Sequence, residues 1–196
     1  MIIFGILFLS VYIVGSVNFA ILVLSAIGKA DPRTQFSGNA GTTNVYRQAG
    51  LVWAACVLLL DLGRAMAAAG LAVHFLPIAT VPWIGLSLVL GNRFPCFHRF
   101  RGGKGVAGFL GFTILLAPVA AALAALLWVA VHRVAHIPFI ASFFMISALA
   151  MGTMITYNFE IVAAAGSIAT VLLIFLNHRQ NVAALLQKQG KSHESS

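Results

Sequence analysis

The sequence predicts an all-α, polytopic integral membrane bundle in one domain, residues 1–196, and three observations carry that expectation. Of its 196 residues, 61% are hydrophobic and only 8% charged, where soluble domains carry about 25% charged residues. Mean hydropathy is +0.99. Long apolar runs recur from one end of the chain to the other, and about 20 such residues cross a hydrocarbon core. The length then allows about five to seven transmembrane helices and leaves no room for a separate soluble domain.

The first run, 2–27, lacks a positive leading region and exceeds a signal-peptide core, so it reads as a retained first span. The connection 28–50 holds Lys29, Arg33 and Arg47. Runs 51–75 and 76–91 follow, with Pro77 and Pro82 marking a tight turn between them. The connection 92–105 holds Arg93, Arg99, Arg101 and Lys104, and the run 106–131 reads as one further crossing. The stretch 138–176 is too long for a single span at 1.5 Å per residue. Its polar waist, Thr156, Tyr157, Asn158 and Glu160, divides it into shorter helices. The tail carries Arg179, Lys188 and Lys191 and is expected to be flexible from about 188 to 196.

Twelve Lys and Arg against four acidic residues give a net charge of +8. The basic residues gather in the connections 28–50 and 92–105 and in the tail. The positive-inside rule puts all three on the cytoplasmic face, with the N-terminus outside. With 106–131 as one outward crossing, 138–176 must return with one crossing or three. Membrane anchoring accounts for much of the positive charge, an anionic lipid or small substrate for the rest, and nucleic acid is not expected as a partner.

The polar residues cluster. In SGNAGTTNVYRQAG, small residues let backbone N–H groups approach a ligand, and successive N–H groups form an anion-binding concavity. Ser37, Gly38, Asn39, Gly41, Thr43 and Asn44 supply neutral donors, and Arg47 a planar fork suited to phosphate. A flexible polar turn is the competing reading. In GNRFPCFHRFRGGKGVAG, Arg101, Gly102, Gly103, Lys104 and Gly105 stand at the start of an apolar helix, where the dipole favours an anion. The glycine spacing of a Walker A loop is absent, and Arg93 and Arg99 read as membrane anchors. In the third cluster, His178, Arg179 and Asn181 fall on neighbouring turns where the last span ends. Asp61 and Arg64, three apart inside an apolar run, can pair, as a functional interior or as a structural ion pair.

Cys56 and Cys96 share no ligand spacing, and no metal, haem or dinucleotide signature occurs, so no cofactor is expected. No Ser-His-Asp set and no H-x-x-x-x-D pattern is present.

Taken in order and spacing, SGNAGTTNVYRQAG, FPCFHRFRGGKGVAG and HRQNV resemble the motifs of the PlsY-type bacterial acyl-phosphate:glycerol-3-phosphate acyltransferases, and the hydrophobic pattern is similar along essentially the whole chain. The resemblance implies a multi-pass protein of the bacterial cytoplasmic (inner) membrane. It implies acyl transfer from acyl phosphate to the 1-hydroxyl of glycerol 3-phosphate, giving lysophosphatidic acid and phosphate at the start of phospholipid synthesis. Ser37, Lys104, His178 and Asn181 would be catalytic. Gly38, Asn39, Gly41, Thr43, Asn44, Arg47, Arg101, Gly102, Gly103, Lys104, Gly105 and Arg179 would hold the substrate phosphates, and membrane lipids would surround the chain. The sequence departs from the family pattern at Asn92 (His), Arg64 (Lys), Asn18 (Pro), Ala20 (Gly), Ala184 (Arg) and Gly190 (Glu). Those departures leave an alternative: an altered paralogue that binds an anion or lysolipid, or a transporter. A transporter would show paired internal repeats, and none is evident.

Overall fold

The computed structural model describes the backbone of residues 1–194 and the side chains of 1–187, and no strand occurs among the described residues. The expected flexible stretch 188–196 and the departure at Gly190 therefore lie outside the described side chains. The first apolar run comprises two helices, α1 (Ile2–Gly15) and α2 (Phe19–Ala26), interrupted at 16–18. The break is written in polar residues. Ser16 Oγ donates back to the Tyr12 carbonyl at 2.9 Å, and the buried Asn18 has extended backbone and caps α2, its Oδ1 accepting from Ile21 N–H at 3.0 Å.

A helix that stops inside the bilayer leaves carbonyls without partners. Here Arg64 supplies them. Its guanidinium donates to the carbonyls of Val14 and Gly15, both at 3.2 Å, and of Val17, and it pairs with Asp61 at 2.7 Å. The Phe19 ring lies 5.0 Å from the same guanidinium. Arg64 therefore acts as the end cap of α1, reaching over from α4 (Leu51–Phe75).

After the connection, α3 (Thr42–Ala49) leads into α4, and α5 (Val81–Arg93) runs alongside α1 in the same direction. Without a water-driven hydrophobic effect between helices, close association in lipid depends on small residues that let backbones touch. Gly15 and Gly91 do this for α1 and α5: a Cβ at Gly91 would strike the Tyr12 carbonyl, and one at Gly15 the Leu88 carbonyl. Gly111 does the same for α6 (Val106–Leu116) against Leu62 and Ala65 of α4. Ala65, Ala69, Ile84, Leu88 and Phe112 fill the resulting core.

The run 106–131 is not one crossing. It breaks at Ala117, and Pro118 opens α7 (Pro118–Ala135), since a proline at that position can begin a helix but cannot continue one. α7 then returns: Phe139, just past its end, has its ring 6.4 Å from the ring of His178, which shares a cavity with Lys104 at the start of α6. Residues 132–137 thus join the same end of the bundle as the polar connections. The remainder divides at its polar waist as expected, into α8 (Pro138–Thr156) and α9 (Ile161–Asn177), and is corrected only in its parity, to two helices rather than one crossing or three. Their turn uses positive φ at Asn158 and Phe159, and Glu160 caps α9 by accepting from Ala163 N–H at 2.7 Å. The chain closes with α10 (Arg179–Glu194).

Among the described residues four elements are long and apolar enough to span a bilayer: Ile2–Ala26, Leu51–Phe75, Pro118–Ala135 and Pro138–Thr156. α9 with the start of α10, bent by 43°, makes a fifth. The protein is a multi-pass membrane bundle completed by the shorter α5 and α6.

Candidate active site

Three connections meet at one end of this bundle, and each is held by buried polar contacts. Asn44, 1% exposed, donates from Nδ2 to the carbonyls of Pro32 (2.9 Å) and Gln35 (3.0 Å), and its Oδ1 accepts from Ser37 Oγ at 3.3 Å. Asn18 Nδ2 donates to the Ala40 carbonyl at 3.2 Å. The loop before α3 is therefore suspended from two amides.

A clamp joins this loop to the next. Arg33 is gripped by Asp31, with Nη2 to Oδ2 at 2.6 Å, and donates from Nη1 to the carbonyls of His98 (2.7 Å) and Arg101 (3.1 Å). The side-chain hydrogen bond from Arg33 is the main cause that holds the Asp31 carboxyl below its usual range. In the second loop, Gly102 and Gly103 donate to the carbonyls of Arg93 (3.2 Å) and Asn92 (2.9 Å). Gly103 is wedged between Asn92 and the Ala40 carbonyl with no space for a Cβ, and Gly105 sits at φ +88° against Val89. These glycines let two loops touch, and the turn presents Lys104 inward.

Helix α9 supplies the third side. Asn177 Nδ2 donates to the Lys104 carbonyl at 3.2 Å, and Lys104 Nζ donates to Asn181 Oδ1. His178, 3% exposed, places Nδ1 2.8 Å from the Ile174 carbonyl. A carbonyl only accepts, so Nδ1 carries the proton and Nε2 keeps a free lone pair.

These contacts enclose a cavity of about 520 Å³ with two characters. One end is polar, formed by Ser37, Asn39, Gly41, Thr43, Arg47, Lys104, Gly105, His178 and Asn181, with Asn92 beside them; Asp61 also lines the cavity. The other is apolar and runs past Leu110, Ala125, Trp128, Phe139 and Met145. Trp128 is fixed there by an Nε1 donation to Ser142 Oγ at 3.2 Å. A smaller pocket of about 40 Å³ adjoins the polar end, lined by Gly38, Gly102, Arg93 and Arg179 and sharing Ser37, Lys104 and Asn181. Burial, and then the charges of Arg93 and Arg47, push the Lys104 ammonium down to about 8.

Several expected site residues take other positions. Asn44 and Gly103 line neither cavity and build the loops instead. The Arg101 side chain is exposed and only its carbonyl is used. Arg64 is turned toward the α1 break, while its partner Asp61 reaches the cavity wall. Three groups carry no motif signal: the Asp31–Arg33 clamp, Trp128, and Arg93, which reads as an anchor; Asn92, where the family pattern has His, lines the main cavity. An aspartate two residues before an arginine in a connection was a visible signal for the clamp. Nothing in the sequence distinguished Arg93 from its basic neighbours.

A cationic polar chamber opening into an apolar lane fits a ligand with a phosphate head and a hydrocarbon tail. The family model described as glycerol-3-phosphate acyltransferase matches residues 5–188. A glycerol-3-phosphate acyltransferase of Methylobacillus flagellatus is 37% identical over 183 residues, 91% of either chain. One from Ralstonia pickettii is 38% identical over 192 residues, covering 91% of this chain and 88% of its own. The crystal structure of PlsY, an integral membrane glycerol 3-phosphate acyltransferase, in its glycerol 3-phosphate form superposes with a TM-score of 0.87 at 29% identity, covering 94% of this chain and 92% of that one. Its lysophosphatidic acid form gives 0.84 at 28%, with the same coverage.

Proposed function

The chain belongs to the glycerol-3-phosphate acyltransferase family, and from that premise we propose that it moves a fatty acyl group from acyl phosphate to the 1-hydroxyl of glycerol 3-phosphate. The products are lysophosphatidic acid and inorganic phosphate, and the site faces the cytoplasm across the bacterial inner membrane. The observation that carries this reading is the single cavity in which a polar end with Arg47 and Lys104 runs on into an apolar lane. The acyl chain lies in the lane, between α6, α7 and α8. The acyl phosphate head lies against Arg47, Lys104 and the small residues 37–43.

The acyl donor is already activated, so no enzyme nucleophile is required. The hydroxyl oxygen attacks the acyl carbon, the bond from that carbon to the phosphate oxygen breaks, and the hydroxyl proton passes to the departing phosphate. His178 Nε2 accepts a hydrogen bond from the hydroxyl and aims it. Lys104 offsets the charge that develops on the carbonyl and phosphate oxygens, while Asn181 holds the ammonium in place. Asn44, Gly103, the Asp31–Arg33 clamp and Asn18 keep the three connections in register.

Purified protein in detergent, given acyl phosphate and glycerol 3-phosphate, is expected to release phosphate and form lysophosphatidic acid. Lys104→Ala should lower turnover by about 100-fold or more, the usual scale for removing an oxyanion-stabilising group. Wild-type turnover no higher than that of Lys104→Ala would overturn the reading.

A further inference from the structure

The connection between α5 and α6 closes on itself at its root, where Gly102 N–H donates to the Arg93 carbonyl at 3.2 Å and Gly103 N–H to the Asn92 carbonyl at 2.9 Å. Residues 94–101 stand out from that neck as a closed projection. Inside it Phe100 N–H donates to the Pro95 carbonyl at 3.0 Å, and from outside Arg33 braces the carbonyls of His98 and Arg101. The reaction as described uses none of its side chains, yet they make a particular surface. Phe94, Phe97 and Phe100 are 40%, 59% and 59% exposed. Arg99 and Arg101 are exposed beside them, and 94–101 contains no acidic residue. Arg99 and Phe100 also hold left-handed backbone, at φ 56° and 54°, a strain that glycine would avoid. The tip thus keeps a large ring and a cation in the open where a small residue would fold more easily.

The depth of the projection says what meets it. Its parent helix α5 has 13 residues, a rise of about 20 Å, against about 30 Å for the hydrocarbon core. Tyr12, in the middle of the first span Ile2–Ala26, donates from its hydroxyl to the Phe94 carbonyl at 2.7 Å. The projection therefore leaves α5 at the level of the bilayer boundary, where aromatic rings sit among the upper chains and arginines reach up to headgroups. We infer that residues 94–101 are a docking surface for anionic phospholipid, with Phe97 and Phe100 seated in the interface and Arg99 and Arg101 on the headgroup phosphates. This surface stands independently of the acyltransferase reading and adds one consequence to it. Lys104 follows the neck directly, so a lipid seat under the projection steadies the turn that presents the lysine.

Site-directed quenching of the full chain in vesicles tests the surface without turnover. A Cys56→Ala protein carries one fluorophore, on the exposed Cys96 of the projection. The vesicles hold phosphatidylcholine and phosphatidylglycerol in a fixed ratio, and only one of the two carries a nitroxide high on its chains. Phosphatidylglycerol is expected to quench beyond its share of the lipid, by about fivefold for each arginine engaged, the usual worth of a basic side chain at an anionic surface. Arg99→Gln/Arg101→Gln should return quenching to the proportion of each lipid. Phe97→Ser/Phe100→Asn should weaken quenching by both lipids and open the fluorophore to aqueous iodide, asparagine being tolerated in left-handed backbone. Retained gel-filtration profile and thermal transition in detergent identify variants that fold. Proportional quenching in the wild type, or an excess that persists in Arg99→Gln/Arg101→Gln, would overturn the lipid surface. So would a wild-type fluorophore that iodide reaches and neither lipid quenches, which would leave the projection in water for a soluble partner. Failure of acyl transfer with the lipid quenching intact would count against the acyltransferase reading alone.

Discussion

At the scale of a residue, Lys104 has two roles that respond to pH in opposite directions. Its ordinary pKa is near 10.5 and the folded site holds it to about 8, chiefly by burial. The free site therefore carries the ammonium below pH 8 and loses it above. We predict that kcat/KM for glycerol 3-phosphate falls as pH rises from 7 to 9, while kcat, which reports a site already holding phosphate, changes less. Lys104→Arg, charged throughout, flattens the profile in this range. The stability sign is reversed. A lysine whose folded pKa lies below its unfolded value costs folding free energy while both states are protonated. That cost is relieved between about pH 8 and 10.5, where the unfolded chain binds more protons. The contribution of Lys104 should thus raise the melting temperature of ligand-free protein as pH climbs past 8, checked against Lys104→Met. Motif residues such as Lys104 and Arg47 were legible from their glycine-rich surroundings. Asn44 and Gly103 were legible only as motif members. Whether an amide faces a ligand or the underside of its own loop depends on folding that no spacing records.

At the scale of an element, the broken first span shows how a polar residue in an apolar run organises a distant site. Asn18 does two things: Oδ1 caps α2 and Nδ2 holds the Ala40 carbonyl of the first polar loop. Asn18→Asp keeps the cap and loses the donor, whereas Asn18→Ala loses both. The alanine variant should be destabilised by about 1 kcal/mol, the usual worth of an N-cap, and the aspartate variant by more, because a buried carboxylate oxygen then faces the Ala40 carbonyl. Both should lower kcat/KM, and the comparison of melting temperatures with activity separates cap from loop. The Asp31–Arg33 clamp offers a parallel test outside the membrane. Arg33→Ala releases the carbonyls of His98 and Arg101, and since the pair is part exposed its loss should cost only about 1 kcal/mol of stability. Its effect on activity should be larger, roughly tenfold in kcat/KM, because two loops lose their common register. The misread run 106–131 belongs at this scale too. Its apolar residues continue through the break, and Pro118 alone marks the point where α6 ends and α7 turns back. Hydropathy measures the solvent around a segment and carries no record of its direction.

At the scale of the whole molecule, backbone contacts at Gly15, Gly91 and Gly111 draw α1, α4, α5 and α6 together. α7 and α8 stand across from α6 and bound the lane with Trp128, Phe139 and Met145, while α9 packs against α5 and α8. The polar connections then close the cavity at one end only. That one-sidedness was legible in the sequence, because charge in the connections sorts by side. The lane was not, since its lining residues are indistinguishable in composition from those that face lipid. If one cavity receives both the hydrocarbon tail and the phosphate head of the donor, the tail end must lie against α7 and α8. A photoreactive acyl phosphate with its reactive group near the tail end, irradiated on the purified protein and mapped by peptide mass spectrometry, tests this most directly. Labelling is expected within α7 and α8, around Ala125, Trp128 and Met145, abolished by excess unlabelled acyl phosphate and weakened by Arg47→Ala. Labelling spread over the outward faces of α1 and α4, indifferent to competitor and to Arg47, would contradict it.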